Sequence, residues 1–231
     1  DEALTHAAEV GERASSSFTQ SFLIITARIH GERGDIDQAR DVLTRHSIVG
    51  QSEAGQDVAH WALAEARVLR AEGKPAEALA AAERAIALRS ELGITIYPVK
   101  FGLFEALEAA FALGDVAKTR ELLAILDGLR PGQLTPLFAA YRARFRAKLA
   151  AREGGADVAH DFTAAESIFR EIDMPFRLAV TQLEHAEWLM QEGQSPQAEA
   201  LVDEARATFE RLRAKPWLAR VPTRGIVGWR H

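Results

Sequence analysis

The sequence predicts an all-α fold, a solenoid of antiparallel helix pairs, and three observations support this. The first is a set of five glycines spaced 39, 41, 40 and 39 residues apart: Gly34, Gly73, Gly114, Gly154 and Gly193. Apolar residues before these glycines recur at the spacing of one helix face. No segment shows the sustained alternation of a half-buried strand. A period of about 40 residues is typical of stacked helix pairs.

In each repeat, a first helix is predicted to end at the glycine and a second helix to begin directly after it. Glycine favours this boundary because it adopts the left-handed conformation that ends many helices. Small residues such as Ala66 and Ala78 flank the turn and allow two helices to approach closely. We predict first helices at 17–32, 54–72, 96–113, 135–153 and 175–192, and second helices at 35–47, 75–92, 115–129, 156–172 and 195–212.

Helix-start signals follow several of the turn glycines. Asp35 and Asp115 stand where an N-cap residue is expected. Pro75 fits the first helical position, where its missing N–H group has no cost. Ser195 and Pro196 are predicted to form an N-cap followed by proline at the first helical position.

Two repeats depart from the pattern. Thr119 stands five residues after the third turn glycine, where most repeats have alanine. The fourth turn contains two consecutive glycines, Gly154 and Gly155, which leaves the register of the following helix open by one residue. Counting from the first of them places Ala159 and Thr163 on the buried face.

We expect one repeat domain over residues 1–221 and a tail over 222–231. Residues 2–14 are predicted to be a second helix whose first helix is missing. Because the chain also begins without Met, we expect it to be a piece of a longer polypeptide. Residues 216–218, a Pro-Trp-Leu segment, are predicted to fold over the last helix pair as a cap.

Composition and charge exclude several functional classes. The chain has 231 residues, of which 48% are hydrophobic and 26% charged, which is ordinary for a globular protein. The net charge of −5 gives no support for direct nucleic-acid binding. The absence of cysteine excludes disulfides, thiolate metal sites and cysteine nucleophiles. No apolar stretch approaches the ~18 residues of a membrane span, so we expect no membrane contact and a cytoplasmic location.

The segment Trp61–Leu88 resembles a tetratricopeptide repeat, with small residues at the familiar spacing around Gly73. The resemblance implies a right-handed superhelix, although the period exceeds the usual ~34 residues. Longer repeats of this kind resemble the C-terminal arrays of LuxR-type and related STAND ATPase regulators and of multidomain class III adenylate cyclases. The last unit carries the closest resemblance, in Met174-Pro175-Phe176, in Leu183–Leu189, in Phe209–Leu212 and in Pro216-Trp217-Leu218.

What the resemblance implies is a regulatory arm behind a nucleotide-binding module, with the parent ATPase or cyclase domain outside this chain. The chain itself contains no phosphate-binding GxxxxGK[ST] loop, no HExxH and no GxSxG. Its seven histidines are scattered, and no metal-ligand spacing is evident. We therefore expect no enzymatic activity, no catalytic residue, no metal and no cofactor.

The repeat phase predicts which first-helix positions line the concave surface of the array. The positions that lie six residues before a turn glycine are occupied by Arg28, Arg67, Glu108, Lys148 and Glu187. The positions that lie ten residues before a turn glycine are occupied by Ile24, Leu63, Phe104, Arg144 and Leu183. Phe111 joins Phe101 and Phe104 in an aromatic stripe that is explained either by core packing or by an exposed interaction patch.

A run of basic residues gives the strongest local charge signal. The segment Tyr141–Arg152 contains five Arg or Lys residues and no acid. Arg144 and Lys148 share one helix face, and Arg142 and Arg146 share another. A solvated surface and a site for an acidic peptide, a nucleotide or another anion both fit this pattern.

Four functions remain in competition, of which an enzyme is the weakest. The leading hypothesis is a non-catalytic regulatory domain that binds a protein or peptide in its concave groove, or other domains of its parent chain. The alternative is a small-ligand sensor, with Phe104, Phe111 and Arg144 as contacts, that controls a linked ATPase or cyclase. Homodimer formation through the ends of the solenoid is a further expectation.

Overall fold

A computed structural model describes residues 16–222, so the predicted helix at 2–14 and most of the predicted tail lie outside the described residues. The helices, numbered in chain order, are α1 Ser16–Arg33, α2 Ile36–Arg45, α3 Ser47–Gly50, α4 Gly55–Ala71, α5 Pro75–Ala87, α6 Arg89–Leu92, α7 Tyr97–Ala112, α8 Val116–Asp127, α9 Pro136–Glu153, α10 Val158–Glu171, α11 Pro175–Gln191, α12 Ser195–Leu212 and α13 Lys215–Leu218.

The all-α prediction is confirmed, because no strand occurs between residues 16 and 222. The five predicted first helices, now α1, α4, α7, α9 and α11, match the observed bounds to about one residue at each end. Their partners α2, α5, α8, α10 and α12 match almost as well. The main difference is the second helix predicted over 75–92, which is interrupted at Leu88 and resumes as the short helix α6.

The turn glycines have the backbone conformation on which the repeat argument depends. All five have a positive φ, between 68° and 77°. A side chain is strained there, which explains why glycine recurs at this position. Asp115 caps α8 as predicted, since its Oδ1 accepts from the Lys118 N–H at 2.9 Å. Asp35 occupies the N-cap position of α2 without making a side-chain capping bond.

The N-cap predicted at Ser195 is wrong by one residue. Ser195 is already the first residue of α12, and Gln194 occupies the N-cap position. Proline therefore falls one position later in the helix than expected. Pro75 stands at the first position of α5, as predicted.

The fourth repeat differs from the prediction in register. Gly154 ends α9, but three further residues precede α10, and Asp157 among them also has a positive φ, of 66°. As a result Ala159 and Thr163 are exposed, whereas Phe162 faces the core. α10 begins four residues after Gly154, whereas the other second helices begin two residues after their glycines. The turn is therefore two residues longer, which is more than the one residue left open by the two glycines.

Thr119 shows how a polar residue fits at a small-residue position. Its side chain is fully buried at the start of α8. Its hydroxyl donates to the main-chain oxygen of Asp115 at 2.8 Å, so the polar group is satisfied within its own helix.

The chain divides into two compact units, Asp1–Ala124 and Ile125–His231, with the division inside α8. In the first unit, α4 packs against α1, α5 and α7, and α5 packs against α7. Gly102 permits a close approach of α5 and α7, because a Cβ atom added there would lie only 2.9 Å from the Ala85 Cβ. The first unit therefore places its first helices side by side.

In the second unit, α10 packs against both α9 and α11, and α12 packs against α11. Aromatic rings fill the end of this unit, where Trp217 stacks on Phe209 at 5.8 Å between ring centroids. Phe176 meets the Trp217 ring edge to face at 6.0 Å. Residues around α13 thus pack against the last helix pair.

Candidate functional site

The candidate positions ten residues before each turn glycine are all buried. Each side chain in this row is at most 1% exposed: Ile24, Leu63, Phe104, Arg144 and Leu183. The prediction that these side chains line an accessible groove is therefore wrong. Neighbouring first helices close this face, since α1 packs on α4 and α4 on α7 in the first unit, and α9 meets α11 in the second.

The row six residues before each turn glycine lies nearer the surface. Arg67 is buried, but Arg28, Glu108, Lys148 and Glu187 are partly exposed. In the aromatic stripe of α7, Phe104 belongs to the core and Phe111 is partly exposed. We call the three partly exposed candidates of the first unit the partner row: Arg28, Glu108 and Phe111. Lys148 and Glu187 are the partly exposed candidates of the second unit.

In the first unit, Arg67 is held by a buried carboxylate from the next repeat. Its Nε donates to Glu105 Oε1 at 3.2 Å, and a second nitrogen donates to the Ile24 main-chain oxygen at 3.1 Å. Arg70 Nε donates to the other Glu105 oxygen at 2.7 Å. One glutamate on α7 therefore binds two arginines on α4, and the Arg67 contact also reaches α1.

The second unit repeats this arrangement. Arg144 donates to both oxygens of Glu184, from Nε at 2.7 Å and from a terminal nitrogen at 2.8 Å. Lys148 Nζ lies 2.5 Å from Glu184 Oε1. The structure thus brings two predicted candidates together on a carboxylate that the sequence analysis missed.

A sequence signal for these acids does exist. Glu105 and Glu184 each stand nine residues before a turn glycine. Each follows a basic candidate, Arg67 or Arg144, by 38 or 40 residues, which is about one repeat. The positions six and ten residues before a glycine thus supply the basic members of these pairs, and the position nine residues before a glycine supplies the acid.

The basic run on α9 is divided between two environments. Arg144 and Lys148 face Glu184 in the interior. Arg142 and Arg146 point to the opposite side, where nitrogens lie 4.0 Å and 2.5 Å from Asp127 Oδ1. The run is therefore not one continuous basic surface, because acids face both of its sides.

Glu187 is a partly exposed candidate at the end of the second unit. Arg220 donates to both of its carboxylate oxygens, at 3.0 and 3.1 Å. Burial raises the pKa of the Glu187 carboxyl above its ordinary value, and the Arg220 charge and hydrogen bond oppose this rise. The Arg220 guanidinium also lies 4.7 Å above the Trp217 ring, so Arg220 contacts both Glu187 and Trp217.

A buried histidine lies in the string Glu184–Trp188. His185 Nδ1 lies 2.8 Å from Glu166 Oε1, and its ring stacks against Phe162 at 5.0 Å and Trp188 at 6.0 Å. Its Nε2 is buried and has no hydrogen-bond partner. A metal would need further ligands, and residues 16–222 contain no group of three or more His, Asp or Glu that could hold one.

None of the helices within the described range is long and apolar enough to cross a membrane. Neither the known protein families nor the curated protein sequences contain a match to this chain.

Proposed function

We propose that this chain is a non-catalytic interaction and regulatory domain, a right-handed superhelical array of tetratricopeptide-like helix pairs. The supporting observation is that α1, α4 and α7 pack in succession in the first unit, each from a repeat with the same glycine turn. Arrays of this kind commonly offer an extended binding surface. The chain would act in the cytoplasm as the C-terminal arm of a larger bacterial signalling or transcriptional regulator.

The buried ion pairs support a structural rather than a catalytic role for the arginines. Arg67 and Arg144 are almost fully buried and bind carboxylates from the next repeat. Side chains held in this way fix the spacing of consecutive helix pairs. Recognition would then fall to the partner row, whose members are partly exposed.

A protein or peptide partner, or another domain of the parent chain, is the ligand that this row favours. Its charges have both signs, from Arg28 to Glu108, and Phe111 adds an aromatic surface. Mixed charges beside an aromatic contact are typical of protein interfaces, where they set orientation and specificity.

The test is quantitative co-purification of the tagged full-length protein from its source cells, in wild-type and Glu108→Lys forms. We expect the charge reversal to reduce at least one specific partner at unchanged protein level. Asp203→Lys on α12 is the matched control, because it reverses an exposed acid on a second helix. Equal recovery of all proteins with both variants would contradict the partner row.

The proposal that this chain is an arm of a larger regulator has its own test. An immunoblot and intact-mass measurement of the native protein should give a product much larger than 25.3 kDa. A native product of only 25.3 kDa would contradict the proposed regulatory arm and would indicate a free-standing adaptor.

A second candidate function is small-ligand sensing that controls a linked ATPase or cyclase. One observation favours it. A terminal nitrogen of Arg67 is buried in the first unit without a hydrogen-bond partner. This donor would be satisfied if a ligand supplied the acceptor.

A further inference from the structure

The Arg67 guanidinium has one hydrogen-bonding group that the fold leaves unused. Its Nε atom donates to Glu105, and its Nη1 atom donates to the Ile24 main-chain oxygen. Its Nη2 atom is buried and has no hydrogen-bond partner. The whole residue is only 2% exposed, so solvent does not readily supply an acceptor. A buried donor without a partner is costly, particularly on a charged group.

Two aromatic rings lie beside this donor. The Arg67 Cζ atom is 5.4 Å from the centre of the Phe101 ring and 6.0 Å from that of the Tyr97 ring. The two rings are 4.4 Å apart and tilted by 35°. Phe101 is buried, whereas Tyr97 is 38% exposed. Tyr97 is thus the ring of this pair that solvent reaches.

Tyr97 lies at the start of a helix and next to an exposed residue. It is the first residue of α7, and the preceding residue, Ile96, is 42% exposed. Because Arg67 is buried, a ligand reaches its Nη2 atom only if the Tyr97 side chain turns toward solvent.

Charged groups around the rings favour an anion. Arg70 binds the same carboxylate as Arg67, and Lys100 Nζ lies 5.6 Å from the centre of the Phe101 ring. Arg67 and Arg70 therefore share one acid, Glu105, and Lys100 adds a third cation beside the Phe101 ring. A carboxylate that accepts from a guanidinium forms a charge-assisted hydrogen bond, which is stronger than a neutral one.

We propose that this patch of the first unit binds a small aromatic carboxylate. The ligand's carboxylate accepts a hydrogen bond from the Arg67 Nη2 atom. The ligand's ring stacks on the Tyr97 ring after the Tyr97 side chain has turned outward. This proposal rests on the small-ligand candidate function. It does not depend on the partner row, so each can fail without the other.

The test is isothermal titration calorimetry of the whole chain with three probes. Benzoate carries both a ring and a carboxylate, benzamide keeps the ring without the charge, and acetate keeps the charge without the ring. We expect benzoate to bind at one site per chain, at least about tenfold more tightly than either of the others. Equal binding of benzoate and benzamide would overturn the proposal, since Arg67 would then have no part in recognition.

Tyr97→Ala is the principal variant, because a partly exposed side chain at a helix start can be removed with the fold intact. We expect it to weaken benzoate binding at least about fivefold, through loss of the stacking surface. Leu113→Ala is the matched control, because Leu113 is 43% exposed just beyond the other end of α7. Circular dichroism should show the same helix content in both variants.

Arg67→Gln supplies the second arm and should abolish the preference for benzoate over benzamide. If it unfolds the first unit, the Tyr97→Ala result still decides the matter. No heat from benzoate at millimolar concentration, or wild-type affinity in Tyr97→Ala, would contradict the site.

Discussion

Arg144 and Glu184 form a two-pronged ion pair inside the second unit, with nitrogen–oxygen distances of 2.7 and 2.8 Å. Both side chains are almost fully buried. Arg67 and Glu105 make the corresponding contact in the first unit. In both units the acid stands nine residues before its turn glycine, on the first helix of the following repeat. These pairs therefore join consecutive helix pairs.

Glu184→Gln should destabilise the protein by about 3–5 kcal/mol, because it leaves Arg144 buried without a countercharge. Urea unfolding monitored by circular dichroism measures the effect. The triple variant Arg144→Met/Lys148→Met/Glu184→Leu removes the carboxylate together with both of its cations and should lie much closer to wild type. Glu199→Gln, at an exposed acid on α12, is the control. A small loss in Glu184→Gln, equal to that of the control, would mean that the pair is not a structural junction.

The register shift in the fourth repeat predicts different effects at two alanines that stand five residues after their turn glycines. Ala159→Leu should change the free energy of unfolding by less than about 0.5 kcal/mol, because the residue is exposed. Ala198→Leu should cost about 1–3 kcal/mol, because Ala198 is fully buried between α11 and α12. Thermal or urea unfolding compares them. A larger loss at Ala159 would restore the register counted from Gly154.

Two glycines should respond to alanine for different reasons. Gly73→Ala should cost about 1–2 kcal/mol from backbone strain alone, since φ is 74° and nothing lies within 4 Å of the added Cβ. Gly102→Ala should cost about 1–3 kcal/mol from overpacking against Ala85, although alanine favours the helix. The two causes can be separated by measuring the free energy of unfolding of further variants. Gly73→Asn should lose less stability than Gly73→Ala. Adding Ala85→Gly should restore stability to Gly102→Ala but not to Gly73→Ala.

The lowered pKa of His60 predicts that the protein loses stability in acid. Burial lowers the pKa of its imidazole, while the Gln56 carbonyl and the Asp57 charge oppose this shift. Because the folded protein binds this proton less readily than the unfolded chain, stability is full above the ordinary histidine pKa of ~6.5 and falls as the pH drops through the lowered value. His60→Asn keeps a donor for the Gln56 carbonyl and should flatten the pH dependence below ~6.5 in urea unfolding. An unchanged slope would contradict this assignment.

The helix pairs could be predicted from the sequence because one feature, the turn glycine, is required by the backbone itself. Gly73 and Gly193 mark their turns by a positive φ that other residues adopt only with strain. The prediction failed at Gly154 because Asp157 also takes a positive φ and extends the turn. Aspartate in that conformation leaves no signal as clear as glycine.

The candidate site was less predictable because the helix phase shows on which face of a helix a residue lies, but not whether that face is buried. The position of Arg144 was correctly assigned to a distinct face of α9, yet that face is closed by α11. Only the packed neighbours decide whether a side chain is in a groove or in the core. The role of Glu184 likewise follows from a contact one repeat away, which periodicity within a single helix does not show.

The most direct test of the partner row is site-specific photo-crosslinking in the source cells. A benzophenone amino acid would replace Glu108, which is partly exposed on α7, and Asp203 on α12 in a matched strain. We predict a discrete crosslinked product at position 108, either with another protein or with another segment of the parent chain, and none at 203. Crosslinking at 203 and none at 108 would contradict the assignment of the partner row.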